Sequence, residues 1–164
     1  MTITEQQEKF IWLAHAECKP FSEIEKLLNV SRATISKWEV ELRPLWQALA
    51  AIKKIHTAKK MTIDFRKFHD WYISVEKNKS CCYCGITESE LKNLLDNKKI
   101  ETKRSRGRKL ELDRKEPDSS YDKLVNIVYA CYWCNNAKTD TFTHKEFLEI
   151  GKVISKIWKQ RLLK

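Results

Sequence analysis

The sequence predicts a mainly helical protein with one small antiparallel β-hairpin. Three observations carry this. Gly and Pro number only three each in 164 residues, which leaves few positions for flexible linkers. Apolar residues recur at helical spacing through most of the chain. The exception is residues 110–130, where two short apolar runs flank the turn-forming Glu116-Pro117-Asp118-Ser119-Ser120.

The formal charge of +10 is high for this length. Such an excess is the electrostatic footprint of a partner carrying phosphates, and it directs attention to nucleic acid. The first residues, Met1-Thr2-Ile3-Thr4-Glu5, lack the basic start and long apolar run of a signal peptide, and no stretch has the length of a membrane span. The expectation is a cytoplasmic protein without a membrane partner. Paired cysteines in that reducing compartment point to metal rather than disulfide.

The elements follow in order. Thr4-Glu5-Gln6-Gln7 has the form of a capping box, with Phe10, Ile11, Leu13 and Ala14 behind it and Pro20 as a stop. Cys18 reads as a small buried hydrophobe. Ser22 is expected to cap a short helix. Asn29 sits where a tight helix–helix turn needs a left-handed residue, and Ser31 caps the helix that follows. Ile24, Leu28, Val30, Ile35 and Trp38 fall where such a pair buries its core. Residues 21–38 resemble the helix-turn-helix of bacterial and phage DNA-binding proteins, with Glu25 where that motif usually has Ala. The resemblance implies that Arg32, Ala33, Thr34, Ser36 and Lys37 face the major groove.

Pro44 suits the first turn of a new helix running to about Lys60, read as a connector. A further helix covers Asp64 to Val75, with Phe65, Phe68, Trp71 and Tyr72 as core residues. Thr87-Glu88-Ser89-Glu90 is a second capping box. Lys98 to Lys109 is the most basic run, and Lys103, Arg104, Arg106 and Arg108 are placed as contacts to a phosphate backbone. Leu110–Asp113 and Val125–Ala130 read as the two strands. Thr143 caps a last helix with Phe147, Leu148, Ile150, Val153, Ile154, Ile157, Trp158 and Leu162 on its buried side. The boundaries expected are 1–43 for the first module, 44–61 for the connector and 62–164 for the second module.

The chemistry concentrates between Cys81 and Asn136. Cys81-Cys82-Tyr83-Cys84-Gly85 and Cys131-Tyr132-Trp133-Cys134-Asn135 are two Cys-x-x-Cys pairs, each followed by a turn-compatible residue. They read as two knuckles sharing one tetrahedral structural zinc through Cys81, Cys84, Cys131 and Cys134. Cys82 is a poorer ligand, because Cys82-x-Cys84 spacing is less suited to the turn. Trp133 is expected to pack beneath the second knuckle.

Strand, turn, strand, knuckle and helix make a ββα unit. Leu112-Asp113-Arg114, Asn126, Ala130-Cys131-x-x-Cys134-Asn135 and Lys138 resemble the HNH (His-Me finger, ββα-metal) endonucleases of the zinc-stapled phage and mobile-element type, over Cys81 to Phe147. The resemblance implies that Asp113 and Asn135 hold a catalytic divalent ion, Mg²⁺ or Mn²⁺, on hard oxygen ligands. It implies that Asn126 fixes the loop between the strands and that Lys138 reaches a phosphate. Arg114 occupies the place of the family's general-base His, and a guanidinium does not give up its proton. Three explanations stay open. Arg114 binds phosphate while another group or metal-bound water is the base, His69 or His144 folds into the site, or the module binds without cutting. His15 and His56 read as packing or surface residues.

The function expected is a metal-dependent DNA endonuclease targeted by a helix-turn-helix. The alternatives are a non-catalytic DNA-binding regulator on the same fold and a junction-resolving nuclease. Oligomeric state stays open, a dimer among the options.

Overall fold

In this computed structural model, residues 2–102 and 106–163 are described. Among these residues, eight α-helices and a single two-stranded antiparallel sheet match the mainly helical class read from the sequence. The chain forms two compact units, Met1–Tyr72 and Ile73–Lys164. Among the described residues no helix is long and apolar enough to cross a membrane.

The first unit is helical throughout. Helix α1 (Glu5–Ile11) starts at the reciprocal capping box of Thr4 and Gln7 and runs on through a π-helical turn, Trp12–Ala16. Helix α2 (Phe21–Leu28) has Pro20, not Ser22, at its cap position; the fixed φ of proline already sets the extended entry. Asn29 then turns left-handed, at φ 52° and ψ 49°. Ser31 caps α3 (Arg32–Glu41) by accepting from Thr34 N. Phe10, Ile24, Leu28, Ile35 and Leu42 are buried, and Phe10 touches the rings of Phe21 and Trp38. Val30 and Trp38 are only half-buried.

Helix α4 (Arg43–Ala58), read from the sequence as a connector, contributes Leu49 and Ile52 to the buried set of this unit and takes Pro44 in its first turn. Helix α5 (Phe65–Glu76) begins in the first unit and buries Phe65 and Phe68. Cys18 is exposed rather than buried, in a left-handed bend at φ 56° that ends the π-helical turn.

The second unit is built on the cysteines. The first knuckle closes by Gly85 N donating to Cys81 O at 2.8 Å, with Gly85 at φ 75°, a conformation glycine takes without strain. Cys82 N donates to Tyr129 O at 2.8 Å, so the knuckle is tied to the sheet. Helix α6 (Glu88–Asp96) starts at the Thr87–Glu90 capping box. Strands β1 (Glu111–Arg114) and β2 (Ile127–Ala130) pair with Glu111 opposite Ala130 and Arg114 opposite Ile127.

Val125, expected in the second strand, lies in a 3-10 turn, Leu124–Asn126, and is exposed. The second knuckle runs into α7 (Tyr132–Lys138), which Cys131 caps through its sulfur. The last helix, α8 (His144–Leu163), opens on the capping pair Thr143 and Glu146 and buries Phe147, Gly151 and Trp158. Val153 and Ile157, expected inside, are exposed, because the face that meets the knuckle is centred on Gly151. A Cβ at Gly151 would lie 2.4 Å from Tyr83 O, so only glycine lets α8 come this close.

Candidate active site and metal centre

The four thiols of Cys81, Cys84, Cys131 and Cys134 are buried, and their sulfurs all lie within 4.8 Å of one another. Cys84 Sγ and Cys131 Sγ stand 3.8 Å apart, well beyond a covalent sulfur–sulfur bond. Hydrogen bonds from Cys131, then Cys134 and Cys84, pull the Cys81 thiol far below its ordinary range. Sharing with Cys131, then Cys81 and Cys84, pushes Cys134 far up. Four sulfurs this close cannot all carry charge unless a cation sits among them, and the cluster can hold a metal ion. Cys82 is exposed and stands outside it. Trp133 packs edge-on to Trp158 beneath the second knuckle.

Beside this centre, alternation along β1 puts Glu111 and Asp113 on one face of the hairpin, together with their partners Ala130 and Val128. Asp113 Oδ2 accepts from Tyr83 Oη at 3.1 Å, and Oδ1 accepts from Arg114 N at 2.8 Å. Burial, then the charge of Asp113, pushes the Tyr83 phenol far up, so it stays a proton donor to the carboxylate. Asn135, in the first turns of α7, donates its amide to Glu111 Oε2 at 3.0 Å. That leaves the amide oxygen as the atom able to face a cation. Glu111 also accepts from Arg106 Nη2 at 2.6 Å.

Asn126 is buried and fastens the loop between the strands. Its Oδ1 accepts from Glu116 N at 2.9 Å, and its own carbonyl accepts from Lys115 N at 2.9 Å. Arg114 Nη1 donates to Ser119 O at 3.2 Å, and Nη2 lies 3.7 Å from Asp140. Its guanidinium is thus held by the turn and by the loop after α7.

Lys138 departs from the expectation of a phosphate contact. It is 1% exposed, and its ammonium donates to Arg114 O at 3.0 Å, strapping the end of α7 to the end of β1. Its position one turn after Asn135, on the helix face that covers the sheet, makes it a strut. Arg108 is exposed but pairs with Asp96 at 2.6 Å, and Arg106 is spent on Glu111 and on the ring of Tyr132. Lys103 and Arg104 lie outside the described residues. In the first unit, Arg32, Ser36 and Lys37 are exposed on α3 and Thr34 is half-buried; Lys37 pairs with Glu41 at 3.7 Å.

The histidines separate clearly. His15 stacks on Trp46 and meets Glu39 at 3.0 Å. His56 meets Ile63 O at 2.7 Å, and His69 packs on Trp12 and lies 3.3 Å from Asp70. These three are packing residues of Met1–Tyr72. His144 belongs to the second unit, where its ring lies edge-on to Tyr83 with centroids 5.6 Å apart. Burial, then Lys115, lowers its pKa from the ordinary imidazole value; Lys138 adds to this, and Glu116 and Asp113 oppose it.

Three residues of this site went unassigned on the sequence. Glu111 was readable, since it stands two before Asp113 on a strand. Tyr83 was not, because only the folded knuckle points its hydroxyl at the hairpin. Gly151 had no local signal at all.

No protein-family model and no curated protein matches this sequence. Among solved structures, the chain is similar to the rare-cutting HNH restriction endonuclease PacI, which perturbs DNA. The TM-score is 0.52 and the identity 28%, over 71% of this chain and 78% of that one.

Proposed function

We propose that the protein is a metal-dependent DNA endonuclease that hydrolyses phosphodiester bonds, with the second unit as the cutting module. The observation that carries this is the placement of Asp113 on a ββα hairpin beside four clustered cysteines, in a chain similar to an HNH restriction endonuclease. The formal charge of +10 supports a nucleic-acid substrate.

Zinc is the ion best suited to the cysteines. Tetrahedral zinc–sulfur bonds of about 2.3 Å put neighbouring sulfurs about 3.8 Å apart, and the Cys84–Cys131 separation is 3.8 Å. This ion is structural, since all four positions are protein ligands. A second ion, Mg²⁺ or Mn²⁺, suits the hard oxygens of Asp113 and Asn135, with Glu111 bonded to the same amide. Such an ion supplies charge stabilisation at a scissile phosphate and its leaving oxygen. The chain's own groups do the positioning. Tyr83 and the Arg114 backbone N–H orient the Asp113 carboxylate, Asn126 holds the loop, and Lys138 keeps α7 against β1.

We assign targeting to α2 and α3 as a helix-turn-helix, with Arg32, Thr34, Ser36 and Lys37 facing the major groove. The left-handed Asn29 and the Ser31 cap support this. The non-catalytic regulator keeps a foothold in Arg114, which stands where a base is expected.

The test is nicking of supercoiled plasmid by the zinc-loaded protein with Mg²⁺ or Mn²⁺. Cutting that is abolished in Asp113→Ala supports the nuclease. Tight binding without cutting, in wild type and variant alike, supports the regulator. Cutting of a four-way junction in strong preference to linear duplex redirects the substrate to junctions.

A further inference from the structure

We propose that His144 is the general base of this site, the group that takes the proton of the attacking water. The inference rests on the nuclease reading above and names the residue that reading lacks.

The argument starts from what Arg114 cannot do. Its guanidinium keeps its proton and is tied to Ser119 O and Asp140. Of the four histidines in the chain, three lie in Met1–Tyr72, each with a polar partner for one ring nitrogen. His144 differs from them in both respects. It belongs to the unit that carries Asp113, and its Nδ1 is enclosed without a hydrogen-bond partner among the described residues. A buried polar atom left unpaired calls for an explanation beyond packing.

The geometry supplies one. His144 opens α8, directly after the Thr143 cap, so its backbone is fixed by the capping pair with Glu146. Its ring is pinned by Tyr83, whose hydroxyl donates to Asp113 at 3.1 Å. One side chain therefore spaces the imidazole from the carboxylate. The residue is half-buried, and since Nδ1 is the enclosed nitrogen, Nε2 is the one open to a substrate water. With the proton on Nδ1, Nε2 carries the lone pair a base needs.

The charged groups facing the ring are Lys115 and Lys138, which disfavour its cation, and Glu116 and Asp113, which favour it. Burial and Lys115 prevail, so the ring is neutral near pH 7 and ready to accept. In the step itself the water oxygen bonds to phosphorus as the bond from phosphorus to the 3′ oxygen breaks. The water proton passes to Nε2, the departing 3′ oxygen takes a proton from solvent, and the imidazolium returns its own to solvent. The products are a 5′-phosphate and a 3′-hydroxyl.

The experiment measures plasmid nicking by full-length, zinc-loaded protein with Mg²⁺, comparing wild type with His144→Ala, His144→Gln, Asp113→Ala and His69→Gln. Both His144 variants should lose about 10²–10⁴-fold in kcat with plasmid affinity unchanged, while His69→Gln cuts as wild type. Added imidazole should restore part of the loss in His144→Ala. The wild-type rate should hold through the ordinary imidazole value of about 6.5 and fall only at lower pH, because burial and Lys115 lower the pKa of His144, and that acid limb should vanish in His144→Gln. His144→Gln keeps the ring's volume, so it decides the matter if His144→Ala melts early. A His144→Gln enzyme within threefold of wild type, with the acid limb intact and Asp113→Ala inactive, overturns the base assignment and leaves the nuclease standing. A wild type that does not cut overturns both.

Discussion

In Met1–Tyr72 the buried side chains are apolar, Phe10, Ile24, Leu28, Ile35, Leu42, Phe65 and Phe68 among them, and the polar work is done at helix ends by Thr4, Asn29 and Ser31. In Ile73–Lys164 the buried set includes four thiols, an asparagine and a lysine. The first unit resembles an ordinary apolar core cut into short helices. In the second, a hairpin of two four-residue strands could not hold itself together in water, and the sulfurs join its far end to a knuckle 47 residues earlier. The difference teaches where each unit is vulnerable. One depends on summed apolar contacts that tolerate change singly, the other on a few polar fasteners that do not.

The largest expected effect follows from removing the zinc proposed for the four cysteines. Structural zinc contributes about 10–16 kcal/mol of apparent binding energy, against about 5–15 kcal/mol for the stability of a whole domain. A strong chelator, or Cys134→Ser, should therefore abolish the folding of the second unit outright. Fluorescence of Trp133 and Trp158, which pack together beside the knuckle, should red-shift, while much of the helical circular dichroism from α1 to α4 survives. A thermal scan unchanged by the chelator would show that the four cysteines hold no structural ion.

Next in size is Gly151→Ala. Its Cβ would meet Tyr83 O at 2.4 Å and Tyr83 C at 2.7 Å, both backbone atoms of the knuckle. Overpacking of this kind costs about 1–3 kcal/mol, and thermal unfolding of the metal-loaded protein should show a lower midpoint. Because the strain falls on Tyr83, nicking should drop as well. An unchanged midpoint would mean that α8 does not press on the knuckle.

Most of the scaffold was legible in the residues themselves. Capping boxes at Thr4 and Thr87, the left-handed Asn29, the caps at Ser31 and Thr143 and the cysteine spacing all report local physics, and local physics is written in short windows. What stayed hidden depends on which face of an element meets another. Val153 and Ile157 fit the apolar stripe of α8 yet lie outside it, because Gly151 draws the helix onto the knuckle on a different face. Lys138 looks like a surface cation in sequence and becomes a buried strut only once α7 covers β1. The Tyr83–Asp113 bond and the burial of His144 Nδ1 likewise need residues 30 or more positions apart to be brought together.

The smallest expected effect tests the first unit at its tightest turn. Asn29 holds φ 52° and ψ 49°, and its N–H donates to Glu25 O, closing the end of α2. An L-residue with a Cβ pays roughly 1–2 kcal/mol in that conformation, with asparagine among the more tolerant. Asn29→Ala should therefore destabilise the first unit by about 1 kcal/mol. Asn29→Gly removes the steric cost but loosens the unfolded chain, and the two nearly cancel, leaving a change within about 0.5 kcal/mol. Denaturant titration followed by Trp38 and Trp46 fluorescence reads both. Equal losses in the two variants would show that the asparagine side chain, not the backbone conformation, carries the turn. A larger loss for Ala than for Gly would assign the effect to the left-handed backbone, the same feature that sets the direction in which α3 leaves α2.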